Sequence, residues 1–154
     1  MRYSLCNHWE FTEQWSDAFC RGEPVSCRPV RLPHTCRELP LHYADPSDYE
    51  MVCGYRRTLT VPDAPRVFLL FDGAAHQAEI YLNGQLAGQH QGGYTGFTIE
   101  ITDLVHRGTE NLLAVRLDTR EDPSLPPFGF VIDYLTYGGL YREVWLETSP
   151  QSRV

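Results

Sequence analysis

Glu79-Ile80-Tyr81-Leu82-Asn83-Gly84-Gln85-Leu86-Ala87 reads as two strands joined by a two-residue turn. In an extended chain Ile80 and Leu82 fall on one side, Glu79 and Tyr81 on the other. Asn83 and Gly84 both tolerate the positive φ that a tight type I′ hairpin turn demands. Gln85 to Ala87 begin the return strand. Gly88 and the pair Gly92-Gly93 then interrupt regular pairing, and Phe97-Thr98-Ile99-Glu100-Ile101 resumes strict alternation. Hairpin, glycine-rich turn and strand predict an all-β architecture.

The flanking sequence extends that pattern. Tyr55, Arg57, Leu59 and Val61 alternate with Arg56, Thr58 and Thr60. Val67 to Phe71 is apolar on both faces, as a central strand should be. Asn111 to Asp118 places Leu113, Val115 and Leu117 on one face. Leu140 to Glu147 reads as the last strand, with Val144 and Leu146 inward; Trp145 fits either an outward, interdomain position or the core. Val30 to Thr35 reads as a short edge strand stopped by Pro33. Leu5, Trp9 and Phe11 are expected core anchors. Glu13 to Cys27 looks irregular, and Thr102 to Gly108 is the one expected helical turn, capped by Thr102 or Asp103. Arg37–Tyr49 and Thr119–Tyr137 are long, proline-containing loops, of a length that is often functional. About eight strands with almost no helix indicate a β-sandwich, with its binding loops gathered at the sheet ends.

The chain has 154 residues, which suggests a single domain over 1–154 with a real core. Hydrophobic residues make up 42% and charged residues 21%, as in ordinary globular proteins. The net charge of −7 argues against nucleic acid and against an anionic membrane surface as partners. Met1 to Glu10 holds no apolar core of signal-peptide length, and no apolar run approaches the roughly 20 residues of a membrane-spanning helix. The expected location is therefore cytoplasmic. Cys6, Cys20, Cys27, Cys36 and Cys53 are odd in number and contain no Cys-x-x-Cys pair. They read as free thiols in a reducing compartment, with a meeting of two of them in the fold left open. His34 has no second histidine at ligand spacing, so no metal or cofactor is expected.

Several stretches, taken in order, carry a family resemblance. They are Trp9-Glu10-Phe11, Arg31-Leu32-Pro33-His34-Thr35, Tyr55-Arg56-Arg57, Leu70-Phe71-Asp72-Gly73-Ala74 and Ile80-Tyr81-Leu82-Asn83-Gly84. Then follow Gly88-Gln89-His90-Gln91-Gly92-Gly93-Tyr94-Thr95-Gly96-Phe97, Asn111-Leu112-Leu113-Ala114-Val115-Arg116 and Tyr137-Gly138-Gly139-Leu140-Tyr141-Arg142-Glu143-Val144-Trp145-Leu146. The set resembles the N-terminal sugar-binding domain of family 2 glycoside hydrolases, the β-galactosidase and β-glucuronidase family. The resemblance implies a jelly-roll β-sandwich of the galactose-binding-domain type. It also implies, as partners, a carbohydrate and the immunoglobulin-like and (β/α)8 barrel domains of a complete hydrolase. In such enzymes the barrel supplies the acid/base and nucleophilic glutamates of a retaining mechanism. The sequence stops at Val154, so this chain alone is expected to be catalytically inactive, either a domain of a longer hydrolase or a free-standing relative.

The resemblance also nominates substrate-binding residues. Asp133, in Asp133-Tyr134-Leu135-Thr136-Tyr137-Gly138-Gly139, stands where β-glucuronidase-like members hold an aspartate that reaches into the active site. A carboxylate there can accept hydrogen bonds from two sugar hydroxyls at once; the bland alternative is loop glue. Asp122, with Asp118 before it, falls where an ungapped comparison with β-galactosidases puts a substrate- and sodium-contacting aspartate, and both also suit a turn. Glu50 falls where that group has an asparagine. His90 is a candidate for a ligand hydroxyl, with a backbone-satisfied turn histidine as the alternative. Tyr94 and Phe97 are expected in the core rather than stacked on a sugar, and Asn83-Gly84 is expected only to turn the chain. The function expected is a non-catalytic, carbohydrate-recognising domain of a glycosidase. The alternatives are an autonomous carbohydrate-binding module and a purely structural or assembly domain.

Overall fold

The computed structural model describes residues 1–38, 45, 49–122, 124 and 138–150. Among them are ten strands: β1 (Arg2–Ser4), β2 (Trp9–Thr12), β3 (Arg28–Val30), β4 (Val52–Thr60), β5 (Arg66–Phe71), β6 (Gln77–Leu82), β7 (Gln85–Gln91), β8 (Phe97–Glu100), β9 (Glu110–Asp118) and β10 (Val144–Ser149). One helical turn, α1 (Asp17–Cys20), joins them. Every strand pairing is antiparallel. The order is β1-β10-β5-β8 in one sheet and β3-β2-β4-β9-β6-β7 in the other. The two sheets face each other across one apolar core: Tyr55, Ile80, Leu113, Val115 and Leu117 come from the larger, and Val67, Leu69, Phe71, Val144 and Leu146 from the smaller. This is the β-sandwich that the alternating pattern predicts, in agreement with the jelly roll that the family resemblance implies.

The hairpin forms as its sequence dictates. Asn83 and Gly84 have φ of 52° and 80°, and Leu82 pairs with Gln85 across the turn. Asn83 also works outside its own hairpin. Its Nδ2 donates to Asn111 Oδ1 (2.9 Å), and its Oδ1 accepts from Leu112 N (2.9 Å). The turn is thereby fastened to the start of β9. Ile80 pairs with Gly88 and Tyr81 with Leu86, so Ala87 bulges out of the ladder.

Four local expectations change. Residues 13–27 are not all irregular: Ser16 caps α1 by accepting Phe19 N (3.1 Å). Through α1 the nominally outward Arg56 becomes buried. Its Nη1 donates to the carbonyls of Phe19 (3.0 Å) and Glu23 (2.9 Å), its Nε meets Glu10 Oε2 (2.6 Å), and its guanidinium lies 4.4 Å from the Phe19 ring. Thr102 to Gly108 forms hydrogen-bonded turns rather than a helix, because Thr102 Oγ1 is engaged with Val67 N and Glu100 instead of capping. The edge strand β3 lies earlier than expected, and Leu32–Cys36 leaves the sheet as coil. Tyr94 is 58% exposed, carried outward by the Gly92-Gly93 turn, whereas Phe97 stacks on Phe71 at 4.8 Å.

Trp145 points outward. Its Nε1 donates to Asp72 Oδ2 (3.1 Å), and Arg2 lies 5.6 Å from the ring. On the same outer face Arg66 covers Phe68 and binds both oxygens of Glu100 (3.0 and 2.7 Å). These bonds, with one from Thr102, hold the Glu100 carboxyl down to about 2.

Two outcomes follow from this packing. A Cβ at Gly139 (φ 141°) would stand 2.4 Å from His34 O, whereas one at Gly84 would meet nothing within 4 Å. Gly139→Ala should therefore cost about 3 kcal/mol and Gly84→Ala about 1 kcal/mol in urea unfolding; equal losses would refute the steric account. The folded pKa of Glu100 lies below the unfolded value, so its contribution is complete above the unfolded pKa and lost as pH falls towards 2. The melting temperatures of the native chain and Glu100→Gln should converge on acidification from about pH 6 to about pH 3, and the gap should shrink in high salt because the pair is exposed. A gap independent of pH would exclude the ion pair as its cause.

Candidate functional site

The chemistry-bearing residues gather where β9 runs out. Asp118, its last residue, pairs with Val52 of β4 on one side and Gln77 of β6 on the other. One residue later Thr119 is locked in place. Its N–H donates to Met51 O (2.9 Å), while its hydroxyl accepts from Met51 N (2.9 Å) and donates to Tyr49 O (3.0 Å). Just beyond it, Glu50, Gln77, Asp118, Arg120, Glu121 and Asp122 line an open depression of about 350 Å³.

Asp118 is 8% exposed and already engaged. Arg120 grips it with Nε on Oδ1 (2.9 Å) and Nη2 on Oδ2 (2.6 Å), and its backbone N–H adds a third bond to Oδ1 (3.0 Å). Burial alone would raise the Asp118 carboxyl, but the hydrogen bonds and charge of Arg120 outweigh it and hold the group below its ordinary value. Asp122 accepts from Ser124 N (2.8 Å) and Oγ (2.7 Å) on one oxygen and from Gln77 Nε2 (3.2 Å) on the other. The Ser124 bonds lower its pKa. Glu50 Oε1 receives Glu121 N (3.3 Å). The wall thus carries four carboxylates against one guanidinium. Such a surface accepts hydrogen bonds from hydroxyls and repels anions.

His76 borders this depression. Its backbone N–H donates to Asp118 O (3.1 Å), and its side chain is buried with Nε2 unpartnered among the described residues. Burial lowers its pKa, with Glu121 and Asp118 opposing, so it stands as a neutral imidazole. Nothing in Ala74-Ala75-His76-Gln77 announces this, because it depends on how β6 enters the sheet.

The structure brings Asp118 and Asp122 together around Gln77 and leaves His90 apart. Gln91 pairs with Gln77, which pairs with Asp118, so the preceding residue His90 faces the opposite side of the sheet. There its ring stacks on Phe97 at 4.2 Å, and Nε2 meets Thr95 Oγ1 at 3.0 Å: the partner is a side chain, not backbone. Asp133 lies outside the described residues. The far end of its loop is placed, however. Cys36 N donates to Gly138 O (2.9 Å), His34 N to Leu140 O (2.9 Å), and Ala75 exchanges backbone bonds with Gly139 (3.1 and 3.2 Å). Sequence reasoning missed Arg120 and Gln77. The spacing Asp118-x-Arg120 directly after a strand was the available signal. Among the described residues no group of three or more His, Cys, Asp or Glu side chains is arranged to hold a metal ion.

Known proteins share this framework. The chain is 41% identical over 122 residues to a beta-galactosidase of Thermoanaerobacter pseudethanolicus, covering 77% of this chain and 16% of that protein. It is 37% identical over 146 residues to a beta-glucuronidase of Bacteroides fragilis, covering 92% and 20%. The crystal structure of a Bacteroides uniformis beta-glucuronidase superposes with a TM-score of 0.83 at 30% identity, over 97% of this chain and 18% of that one. The chain therefore spans a fifth or less of the length of these relatives. Residues 28–150 match the family described as glycosyl hydrolases family 2, sugar binding domain, and the chain belongs to that family.

Proposed function

We propose that this chain, as one domain over 1–154, is the non-catalytic substrate-recognition domain of a β-galactosidase- or β-glucuronidase-like hydrolase, working in a cytoplasmic setting. It lends the loop 119–138 to the mouth of a catalytic pocket built by an immunoglobulin-like and a (β/α)8 barrel domain. Asp133, in that segment, would accept hydrogen bonds from sugar hydroxyls. Asp118 would do no binding, since Arg120 occupies it; its part is to turn the chain. Asp122 and Glu50 would extend the polar rim, and His90 is assigned to the scaffold. The single observation that carries this reading is the independent anchoring of both loop ends, at Thr119 and at Gly138–Gly139, inside a framework shared with enzymes named beta-galactosidase and beta-glucuronidase. A loop held rigidly at its base can present a carboxylate with the accuracy that substrate positioning requires.

Two measurements test it. In the complete hydrolase, Asp133→Ala should lower kcat/KM on aryl β-glycosides at least about tenfold with the melting temperature little changed. An unaltered kcat/KM would leave the domain a purely structural role. The purified 154-residue chain should release no aryl alcohol from the same substrates. Turnover above the uncatalysed rate that persists through repurification would show the chemistry to reside here after all.

A further inference from the structure

We propose that Cys36 and Cys53 are a redox-active dithiol, closed to a reversible disulfide by a hydroperoxide. Their sulfurs lie 3.2 Å apart, in contact, and both residues are buried. A disulfide needs about 2.05 Å, so the sulfurs must approach by about 1 Å more. Cys53 is fixed by its place in β4, opposite Leu117 of β9. Cys36 sits in the coil after β3 with its N–H tied to Gly138 O, so the approach falls to rotation of the Cys36 side chain.

The surroundings suit the chemistry. From Cys36 Sγ a chain of proton-carrying groups leads outward: Tyr55 Oη at 3.7 Å, then His34 Nδ1 at 2.7 Å from Tyr55, with His34 half-exposed. Tyr55 is pushed far up by burial and stays protonated; His34 is pushed down by burial and by Arg28 and stays able to accept a proton. The Cys53 hydrogen bond lowers the Cys36 thiol below its usual value against the opposing effect of burial, whereas burial raises Cys53. Cys36 is the sulfur in contact with the Tyr55 hydroxyl, the group that can take its proton, so Cys36 is the attacking sulfur and Cys53 the resolving one.

The step balances. The Cys36 proton passes to Tyr55 as the Tyr55 proton passes to His34. The thiolate attacks one oxygen of hydrogen peroxide, an S–O bond forms, the O–O bond breaks, and the departing hydroxide takes up that proton as water. Cys53 then attacks the sulfenic sulfur; the S–S bond forms, the S–O bond breaks, and hydroxide leaves with the Cys53 proton as a second water. The two sulfurs are oxidised and one peroxide is reduced. Two equivalents of an external thiol restore the pair. Both sulfurs are buried, so the oxidant must be small, a hydroperoxide rather than a bulky disulfide. Cys36 N–H also holds Gly138 O, so closure acts at the base of the 119–138 loop. Any effect on substrate rests on the function proposed above; the thiol chemistry does not.

The test uses the native chain and hydrogen peroxide. Its intact mass should fall by about 2 Da, acid-quenched peptide mapping should join the Cys36 and Cys53 segments, and dithiothreitol should reverse both changes. Cys53→Ser should leave a sulfenic acid at Cys36 that dimedone traps. Tyr55→Phe, which keeps the ring, should slow closure at least about tenfold. The proposal is overturned by a mass gain from sulfinic acid on the native chain, by a bridge involving Cys6, Cys20 or Cys27, or by unchanged thiols in excess peroxide.

Discussion

The close approach of Gly139 to the backbone of His34 and Thr35 governs how this sandwich ends. A Cβ there would stand 2.4 Å from one atom and 3.0 Å from another, both main chain, which cannot step aside as a flexible side chain would. Only a bare backbone lets three segments meet at this point: the coil leaving β3, the β5–β6 connection at Ala75, and the approach to β10. Once they meet, their polar groups satisfy one another, with bonds between Cys36 and Gly138, His34 and Leu140, and Ala75 and Gly139. The junction closes one end of the core and sets where the loop from Thr119 must land.

What the sequence made legible was local. Period-two alternation in Tyr55–Val61, Ile80–Leu82 and Asn111–Asp118 needs only neighbouring residues to be read, and so does the turn chemistry of Asn83-Gly84. What stayed hidden depends on register. Arg56 looked like an outward arginine because its own strand says so; α1, four residues long and weak in helical pattern, covers it from another part of the chain. Cys36 and Cys53 are seventeen residues apart and meet only because the Leu32–Cys36 coil folds back over β4. Tyr94 and Phe97 shared a single expectation and separated because Phe97 is in the β8 ladder opposite Phe71 while Tyr94 rides the glycine turn.

The candidate site was half legible for the same reason. The order of family motifs located the loop, and the carboxylates at 118, 122 and 133 could be counted in advance. Which of them is free to act could not. Asp118 and Asp122 are chemically alike and neighbours in sequence, yet Asp118 is spent on Arg120 with three hydrogen bonds and Asp122 on Ser124 and Gln77. A carboxylate already gripped by a guanidinium has low basicity and few open lone pairs, so it orders a turn better than it recognises a hydroxyl.

His76 and the cysteine pair show how the same junction handles its buried polar groups. Glu121 and Asp118 favour the charged form of His76, but burial outweighs them and lowers its pKa, and its Nε2 has no partner among the described residues. Cys36 and Cys53 solve the same problem by pairing with each other, Cys36 also with Tyr55 and Cys53 with Leu117 O, so their hydrogens have partners without water. Both groups touch the segments that carry the loop, His76 through Asp118 and Cys36 through Gly138. The loop base is therefore tied down without being inert. It is held by backbone bonds that a change of charge or covalent state next door can reach in a single step, which β-strands packed by apolar side chains alone would not allow.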